Sequence, residues 1–203
     1  MSKPCIIAIG GPTCSGKSLL SNSLADNLTD AAVISMDSYY RDLTKVDSAE
    51  LESWNFDHPA SLDYNLLVED ISRLAAGRSI LKPIYRYPSH TRAAEGIEVI
   101  PGAYIILDGL YALYWEAVLD YCQLKVFVSV PDAVCLQRRL RRDPVERGFT
   151  TDYIEMQYQE TVRPMYQKYV HYTRERADLI LNGEDEIKLS VESILNMLAK
   201  IGK

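Results

Sequence analysis

Apolar runs and amphipathic stretches alternate along most of the chain. Short apolar runs without polar alternation are typical of strands buried on both faces of a parallel sheet. Apolar residues that recur every three or four positions are typical of helices covering such a sheet. The predicted strands are about 4–9, 31–36, 104–107, 124–130 and 178–181, and the predicted helices about 17–28, 62–76, 112–120, 132–147, 151–171 and 185–201. We expect Pro164 to bend its helix. This order predicts an α/β fold, with helices on the faces of a parallel sheet.

Two segments interrupt the alternation. Residues 37–61 are rich in polar and aromatic side chains and predict a loop with one short helix near 48–53. Residues 79–100 contain short extended pieces separated by prolines, which predict a β-hairpin or a small lobe at the sheet edge, with its return strand at 97–100. No internal repeat, low-complexity run or linker divides the sequence, so we interpret residues 1–203 as a single domain.

A short motif joins the first predicted strand to the first predicted helix. It matches the phosphate-binding P-loop pattern G-x-x-x-x-G-K-[ST] and consists of Gly11, Pro12, Thr13, Cys14, Ser15, Gly16, Lys17 and Ser18. In such a loop, backbone N–H groups and the helix N-terminus surround an anion. We expect Lys17 to reach the β- and γ-phosphates and the Ser18 hydroxyl to bind Mg²⁺. The alternative, a chance glycine-rich turn, leaves the flanking strand and helix unexplained, so the sequence predicts a nucleoside triphosphate site.

Two carboxylates follow strands and are therefore expected at the same sheet edge as the P-loop. Asp108 ends a predicted strand, as a Walker B carboxylate does, and is a candidate Mg²⁺ ligand beside Ser18; the alternative is a turn cap next to Gly109. Asp37 follows the second strand and could accept the proton of an attacking hydroxyl, which is worth roughly 10²–10⁴ in rate. The commoner role of such an aspartate is a helix N-cap, and that alternative stays open.

A cluster of arginines follows the helix start near Asp132. The cluster comprises Arg138, Arg139, Arg141, Arg142 and Arg147. Helical geometry places an apolar face at Ala133, Leu136 and Leu140, three arginines opposite it at 138, 141 and 142, and Arg139 at the boundary. A solvated basic face is the usual explanation. Downstream of a P-loop, however, the segment 138–150 favours a lid that closes on the triphosphate, where arginines contribute roughly 10³–10⁵ to phosphoryl transfer.

Composition excludes several classes of function. The 203 residues are 47% hydrophobic and 25% charged, as in an ordinary globular protein. A net charge of −6 and a pI near 5.1 argue against a dedicated nucleic-acid binder. The cysteines form no CxxC pair, and Cys5 and Cys135 are predicted to be buried thiols. No apolar run approaches the length of a membrane span. The N-terminal residues lead directly into the first strand and leave no room for a signal peptide, so we expect a cytoplasmic protein.

Six motifs occur in order between about residue 5 and residue 182. They are Gly11–Ser18, Asp37-Ser38-Tyr39-Tyr40, Asn55-Phe56-Asp57-His58-Pro59, Pro83-Ile84-Tyr85 through His90-Thr91-Arg92, Asp108-Gly109-Leu110, and Arg138-Arg139 through Glu146-Arg147-Gly148. Together they resemble the uridine–cytidine kinases of the phosphoribulokinase/uridine kinase group. The resemblance implies a P-loop NTPase-type sheet of five parallel strands, a β-hairpin over the acceptor site, an arginine-rich lid, and a homo-oligomer, commonly a tetramer.

The resemblance also implies a reaction and roles for single residues. ATP or GTP, with Mg²⁺, would phosphorylate the 5′-hydroxyl of uridine or cytidine. Asp37 would be the general base, and Lys17, Arg142 and Arg147 would contact the phosphates. The implied acceptor-site residues are Tyr40, Asp57, Tyr85, Tyr87, His90, Arg139, Arg147 and Gln157, with Asp57 and Arg139 at the ribose and Tyr85, Tyr87 and His90 at the pyrimidine. In an extended chain Tyr85 and Tyr87 would share one face, and an aromatic core patch is the alternative.

Three positions depart from the family pattern, and two other functions stay open. Arg86 stands where Asp is usual, Asp108 replaces a more usual Glu, and Phe149 replaces a lid arginine. A sugar-phosphate kinase of the phosphoribulokinase type would need cations such as Arg86 and Arg92 for an acceptor phosphate. A nucleotide-binding regulator that lacks catalysis is the other alternative, and the presence of Asp37, Lys17 and the arginines argues against it. Separately, His58 and His171 lack metal-ligand spacing and are predicted to be structural.

Overall fold

A computed structural model describes residues 3–52 and 54–202 of the chain. Its strands are β1 Cys5–Gly10, β2 Ala31–Ser35, β3 Ile80–Arg86, β4 Thr91–Val99, β5 Tyr104–Asp108, β6 Leu124–Ser129 and β7 Leu179–Asn182. Five of them form a parallel sheet in the order β2-β5-β1-β6-β7, and β3 pairs with β4 in an antiparallel hairpin. The α/β fold with five parallel strands is therefore confirmed.

Helices cover both faces of the sheet. The α-helices are α1 Lys17–Asn27, α2 Ser48–Glu52, α3 Tyr64–Ala75, α4 Glu116–Leu119, α5 Asp132–Arg147, α6 Thr151–Gln157, α7 Arg163–Met165 and α8 Ile187–Lys200. Short 3₁₀ turns occur at Met36–Tyr39, Pro59–Ser61, Tyr87–Ser89 and His171–Arg176. The predicted helix near 48–53 is observed as α2; its last predicted residue, 53, lies outside the described residues.

The apolar runs of the sequence form two layers, one on each face of the sheet. Every residue of β1 is buried, and successive side chains point to opposite faces. Ile6 therefore packs in the layer that contains α3, and Ile7 packs in the layer that contains α1 and α8. This double burial explains why the strands lack a polar alternation.

Parallel pairing brings the chemistry to one edge of the sheet. The register aligns Ile9 with Asp108, and Asp108 with Ser35. The P-loop after β1, Asp37 after β2 and Asp108 at the end of β5 thus lie at neighbouring strand ends. A site that is scattered over the sequence becomes continuous through this topology.

The hairpin is longer than the sequence suggested. Its return strand runs from Thr91 to Val99 rather than over 97–100, and the pairing shifts between Pro83 and Tyr85. Most residues of β4 are at least partly exposed, so an apolar pattern could not reveal its first half. Arg92 anchors the strand by an ion pair with Asp63 at 3.1 Å.

Two predicted helices differ from the observed ones. The helix predicted near 112–120 is reduced to α4, because the chain after Asp108 forms turns first. The helix predicted over 151–171 is continuous but includes wider π turns at Tyr158–Val162 and Tyr166–Val170. Pro164 has no backbone N–H, and the N–H of Arg163 bonds the carbonyl of Tyr158 five residues earlier. The wider turns on both sides of Pro164 accommodate it within the helical run.

The buried face of α5 also differs from the prediction. Cys135, Arg139 and Asp143 are buried, whereas Ala133 is exposed and Leu136 and Leu140 are only partly buried. The buried polar pair is stabilised by an Arg139–Asp143 ion pair at 3.0 Å. An apolar periodicity cannot predict a helix whose inner face is held by charges.

Within the described part of the chain, none of the helices has both the length and the apolar character needed to cross a membrane.

Candidate active site

A cleft of about 750 Å³ runs along the carboxyl edge of the sheet. Its walls come from the P-loop, the ends of β2 and β5, α5, and the loop between β7 and α8. The predicted site residues that line it are Thr13, Cys14, Ser15, Gly16, Lys17, Ser18, Asp37, Tyr40, Asp57, Asp108, Arg139, Arg142, Arg147 and Gln157. Most of the side chains selected from the sequence therefore meet in one cavity.

The P-loop has the backbone that an anion-binding loop needs. Gly11 and Gly16 have φ of +141° and +99°, which favour glycine. A Cβ at Gly11 would lie 2.3 Å from the carbonyl oxygen of Val128, so the loop presses directly on β6. The Lys17 ammonium donates to the Pro12 carbonyl at 2.7 Å, across the loop. Burial lowers the pKa of Lys17, and Asp108 and Asp37 oppose that shift.

Ser18 and Asp108 form a polar pair beside the loop. The Ser18 hydroxyl donates to Asp108 Oδ2 at 2.7 Å. The other carboxylate oxygen, Oδ1, is buried and has no hydrogen-bond partner among the described residues. Burial also raises the pKa of Asp108. A hydroxyl next to an unsatisfied carboxylate oxygen fits Mg²⁺, which takes few protein ligands and completes its octahedron with water and phosphate oxygens.

A Mg²⁺ ion at this position would need only a few protein ligands. In residues 3–52 and 54–202, no group of three or more His, Cys, Asp or Glu side chains is placed to hold a metal ion. A Mg²⁺ ion here would therefore be held jointly by Ser18, Asp108 and bound phosphates.

Asp37 presents its carboxylate to the cleft. The first turn after β2 is capped by the Ser35 hydroxyl, which accepts from the Asp37 N–H at 3.3 Å. Ser35, not Asp37, is thus the N-cap of this turn. The Tyr87 hydroxyl donates to Asp37 Oδ2 at 3.4 Å and connects the hairpin to the cleft. Burial and the nearby Asp37 raise the pKa of Tyr87, so this hydroxyl stays protonated.

Asp57 is held by two hydroxyls that the sequence analysis did not select. Thr161 Oγ1 donates to Asp57 Oδ2 at 2.9 Å, and the Tyr111 hydroxyl donates to the Asp57 carbonyl. Burial raises the pKa of Asp57, and the charge of Arg139 counteracts it. Arg139 in turn donates to Gln157 Oε1 at 2.6 Å. Thr161 lies four positions after Gln157, on the helical run that faces the cleft, which is the signal that could have revealed it.

An aromatic cluster lies between the hairpin and the loop before α3. The Tyr40 ring is 5.3 Å from Tyr85 and 6.1 Å from Phe56, and Phe56 stacks on His90 at 4.5 Å. Tyr87 contacts Tyr85 edge-on, also at 5.3 Å. Among the described residues, the cleft lining includes Tyr40 and Phe56 but not Tyr85, Tyr87 or His90.

Tyr85 stands out within this cluster. Its hydroxyl is buried without a hydrogen-bond partner in the described residues. Burial raises the pKa of Tyr85 to about 12. A buried hydroxyl without a partner is costly, which makes it a candidate ligand contact.

Asp143 organises the arginines of α5. It is fully buried and forms ion pairs with Arg139 at 3.0 Å, Arg142 at 2.7 Å and Arg147 at 3.8 Å. Arg138, Arg139, Arg142 and Arg147 all line the cleft, and Arg141 is exposed. The sequence pattern did not single out Asp143, because an aspartate between arginines also suits a solvated helix.

His58 and His171, to which no functional role is assigned, contact other residues of the fold. His58 Nδ1 accepts from the Ala60 N–H at 3.0 Å, and Nε2 lies 2.9 Å from the Tyr169 hydroxyl. His171 contacts the ring of Tyr166 edge-on at 5.8 Å.

Comparison with known proteins places this cleft in a family. Residues 6–190 match the model of the "Phosphoribulokinase / Uridine kinase family". The chain belongs to the phosphoribulokinase/uridine kinase family. A protein named uridine kinase from Serratia proteamaculans (strain 568) is 37% identical over 194 residues, covering 92% of this chain and 91% of that one. This family member is therefore a P-loop kinase that uses a nucleoside triphosphate as phosphate donor.

Solved structures share the fold at lower identity. The D-glycerate 3-kinase from Cryptococcus neoformans var. grubii superposes with a TM-score of 0.69 at 17% identity, over 83% of this chain and 80% of that one. Phosphoribulokinase from Rhodobacter spheroides gives a TM-score of 0.68 at 14% identity, over 90% of this chain and 73% of that one. Structures with this fold are thus named for acceptors of different chemistry, and the acceptor has to be argued from this chain's own residues.

Proposed function

We propose that this kinase transfers the γ-phosphoryl group of ATP or GTP to the 5′-hydroxyl of uridine or cytidine, which yields the nucleoside 5′-monophosphate. The observation that carries the proposal is the pairing of Asp57 with an adjacent aromatic cluster at the acceptor end of the cleft. A carboxylate is the strongest acceptor for a ribose diol, and aromatic rings suit a flat base. The likeness to a uridine kinase over most of the chain supports the same acceptor.

The donor phosphates are assigned to the P-loop side of the cleft. The backbone N–H groups of the loop and the N-terminus of α1 would hold the β- and γ-phosphates, with Lys17 beside them. Ser18 and Asp108 would hold Mg²⁺. When bound, Mg²⁺ neutralises and orients the phosphate oxygens. Arg142 and Arg147 would approach from α5 and stabilise the charge that spreads over the γ-phosphoryl group in the transition state.

Asp37 is assigned the proton transfer. As the nucleoside 5′-oxygen forms its bond to the γ-phosphorus, the bond from that phosphorus to the β–γ bridging oxygen breaks. The hydroxyl proton passes to Asp37, and the nucleoside diphosphate leaves. Because the Tyr87 hydroxyl already donates to Asp37 at 3.4 Å, one carboxylate oxygen is oriented and the other remains available to the substrate.

The acceptor would lie between Asp57 and the hairpin. Asp57 would accept hydrogen bonds from the ribose hydroxyls, with Arg139 and Gln157 next to it. The base would reach Tyr40, Tyr85, Tyr87 and His90, and Phe56 joins this set because it stacks on His90 and lines the cleft. Closure of the segment 138–150 and assembly into a homo-oligomer, a tetramer by resemblance, belong to the same proposal.

A sugar-phosphate acceptor is less favoured, for a specific reason. Arg92, one of the two cations that it would require, is engaged by the carbonyls of Tyr39 and Tyr40 at 2.9 and 2.8 Å and by Asp63 at 3.1 Å. The other, Arg86, is exposed on the hairpin. Neither arrangement supports a phosphate subsite at the hairpin.

A coupled assay of ADP or GDP release tests the proposal. The acceptor panel comprises uridine, cytidine, adenosine, thymidine, ribulose 5-phosphate and glycerate. We expect the highest kcat/KM with uridine or cytidine. A higher kcat/KM with any of the sugar phosphates or hydroxy acids would contradict a nucleoside acceptor.

A further inference from the structure

Arg138 joins three segments that line the cleft. Its side chain lies on α5 and is partly buried. One guanidinium nitrogen, Nη1, donates to the carbonyl of Cys14 in the P-loop at 3.1 Å. The other, Nη2, donates to the carbonyl of Gly183 after β7 at 2.9 Å. A single side chain thus bridges the P-loop and the loop that leads into α8.

The two bridged segments are in direct backbone contact. A Cβ at Gly183 would lie 2.2 Å from the carbonyl oxygen of Ser15, so a side chain at this position would force the segments apart. Beyond Gly183 the loop continues along the cleft with Glu184, Asp185 and Ile187. The P-loop backbone and this wall of the cleft are therefore positioned by the same contact.

Two consecutive arginines contact different walls of the cleft. Arg139, the next residue, donates to Gln157 and pairs with Asp143, toward Asp57. Arg138 turns instead toward the P-loop and Gly183. Because the phosphates are assigned to the P-loop and the acceptor to the Asp57 side, the nucleoside part of the donor is left with the Gly183–Ile187 wall.

We propose that Arg138 is a positioning residue for nucleoside triphosphate binding, acting through the carbonyls of Cys14 and Gly183. This inference rests on the proposed function for the assignment of the two ends of the cleft. Arg138 fixes the orientation of the P-loop peptides, whose N–H groups face the phosphates, relative to the wall beside the donor nucleoside. The planar fork of an arginine can reach two carbonyls at once, whereas the single ammonium of a lysine is less suited to bridge them.

The test compares variants of the full chain. Arg138→Met removes both hydrogen bonds, Arg138→Lys retains the charge, and Gly183→Ala disturbs the contact from the other side. Arg78→Met is the matched control, since Arg78 is exposed and lies outside the segment 138–150. The measurements are the Kd for fluorescent N-methylanthraniloyl ATP and GTP, the KM for each substrate, and the melting temperature.

The expected result distinguishes an effect on donor binding from an effect on acceptor binding. Arg138→Met should raise the nucleotide Kd and KM roughly ten- to a hundredfold, as expected when hydrogen bonds from a charged donor are lost. Arg138→Lys should recover part of this loss, Gly183→Ala should shift the same two constants, and Arg78→Met should resemble the wild type. The KM for uridine should change by less than about threefold, within the usual scatter of mutational effects at separate sites.

Two results would overturn the inference. One is an unchanged nucleotide Kd in Arg138→Met and Gly183→Ala. The other is an equal rise in both KM values together with a lower melting temperature, which would indicate only a structural role. Its failure is distinguishable from that of the proposed function. The wild-type protein could phosphorylate no nucleoside while its nucleotide Kd still depends on Arg138. That result would refute the proposed nucleoside acceptor and leave the role of Arg138 supported.

Discussion

Asp57 lines the cleft together with the P-loop and the aromatic residues Tyr40 and Phe56, and its carboxylate is oriented by Thr161. Its own carbonyl accepts from the Tyr111 hydroxyl, so both the side chain and the backbone of this residue are fixed. A carboxylate held in this way is prepared to accept ribose hydroxyls with little loss of conformational freedom on binding.

Replacing Asp57 with Asn should weaken acceptor binding and leave donor binding unchanged. The amide preserves the shape but loses the charge-assisted hydrogen bonds, worth roughly 1.5–3 kcal/mol. We expect the KM for uridine to rise about ten- to a hundredfold, and the preference for uridine over 2′-deoxyuridine to narrow. Steady-state kinetics with both nucleosides measures this. Thr161→Val, which keeps the size of the side chain, should have a smaller effect in the same direction. Equal losses in the KM values of nucleoside and nucleotide would assign Asp57 to the fold instead.

Replacing Asp108 with Asn should stabilise the free protein. Burial raises the pKa of Asp108 above its ordinary value of 3.8, so ionisation of this carboxyl costs stability at neutral pH. That cost is absent when the pH is below the ordinary value and is complete above the raised pKa of the folded state. Asp108→Asn should therefore melt at a higher temperature than the wild type near pH 7, and the difference should shrink as the medium is acidified.

Scanning calorimetry over a pH series measures whether Asp108→Asn raises or lowers the melting temperature. Each ~1 kcal/mol corresponds to roughly 2–4 °C for a chain of this size. Asp120→Asn, an exposed aspartate, provides the control. Magnesium nucleotide should then raise the melting temperature of the wild type more than that of Asp108→Asn. A variant that melts below the wild type at neutral pH would contradict the sign.

Helix α5 and the helical run that follows it carry the lid in the proposed mechanism. Asp143 forms ion pairs with three arginines of α5, and Gly148 ends the helix with a φ of +70°. The next residue, Phe149, contacts the Tyr153 ring edge-on at 4.9 Å. The ring of Phe149 thus connects α5 to α6 across the turn, at the position where the family pattern has an arginine.

Replacing Phe149 with Arg should weaken this connection without improving donor binding. An aromatic pair contributes about 0.5–1.5 kcal/mol beyond its buried area. We expect Phe149→Arg to lower the melting temperature and kcat, with no decrease in the KM for ATP, and Phe149→Tyr to behave like the wild type. A lower KM for ATP that depends steeply on salt would instead show that an arginine here gains a phosphate contact.

Some strands and helices could be located from the sequence more accurately than others, for physical reasons. The central strands β1, β5 and β6 are largely buried on both faces, so their apolar runs were sufficient to locate them. The first half of β4 was not predictable, because it is stabilised by backbone pairing with β3 rather than by buried apolar side chains. The inner face of α5 was not predictable either, because it contains the Arg139–Asp143 ion pair. The π turns around Pro164 depend on hydrogen bonds that no residue periodicity encodes.

The whole molecule brings separate chain segments to one edge of a parallel sheet. Motif spacing was enough to select Lys17, Asp37, Asp57 and Asp108, because each follows a strand or a recognisable string. Thr161 and Tyr111 hold Asp57 from distant segments, through tertiary contacts that the sequence alone does not reveal. Asp143 pairs with Arg139, Arg142 and Arg147 of its own helix. Arg138 was recognised as part of a basic cluster, but its two carbonyl partners come from opposite ends of the chain.

In the proposed reaction, Asp37 accepts the proton of a nucleoside 5′-hydroxyl during phosphoryl transfer. The most direct measurement is rapid-quench single turnover with uridine for the wild type and Asp37→Asn, with ³¹P NMR to identify the phosphorylated position. We predict uridine 5′-monophosphate as the product, and a chemical step about 10²–10⁴ slower in Asp37→Asn with uridine binding retained. An unchanged rate in Asp37→Asn, or no phosphorylation of uridine by the wild type, would contradict the claim.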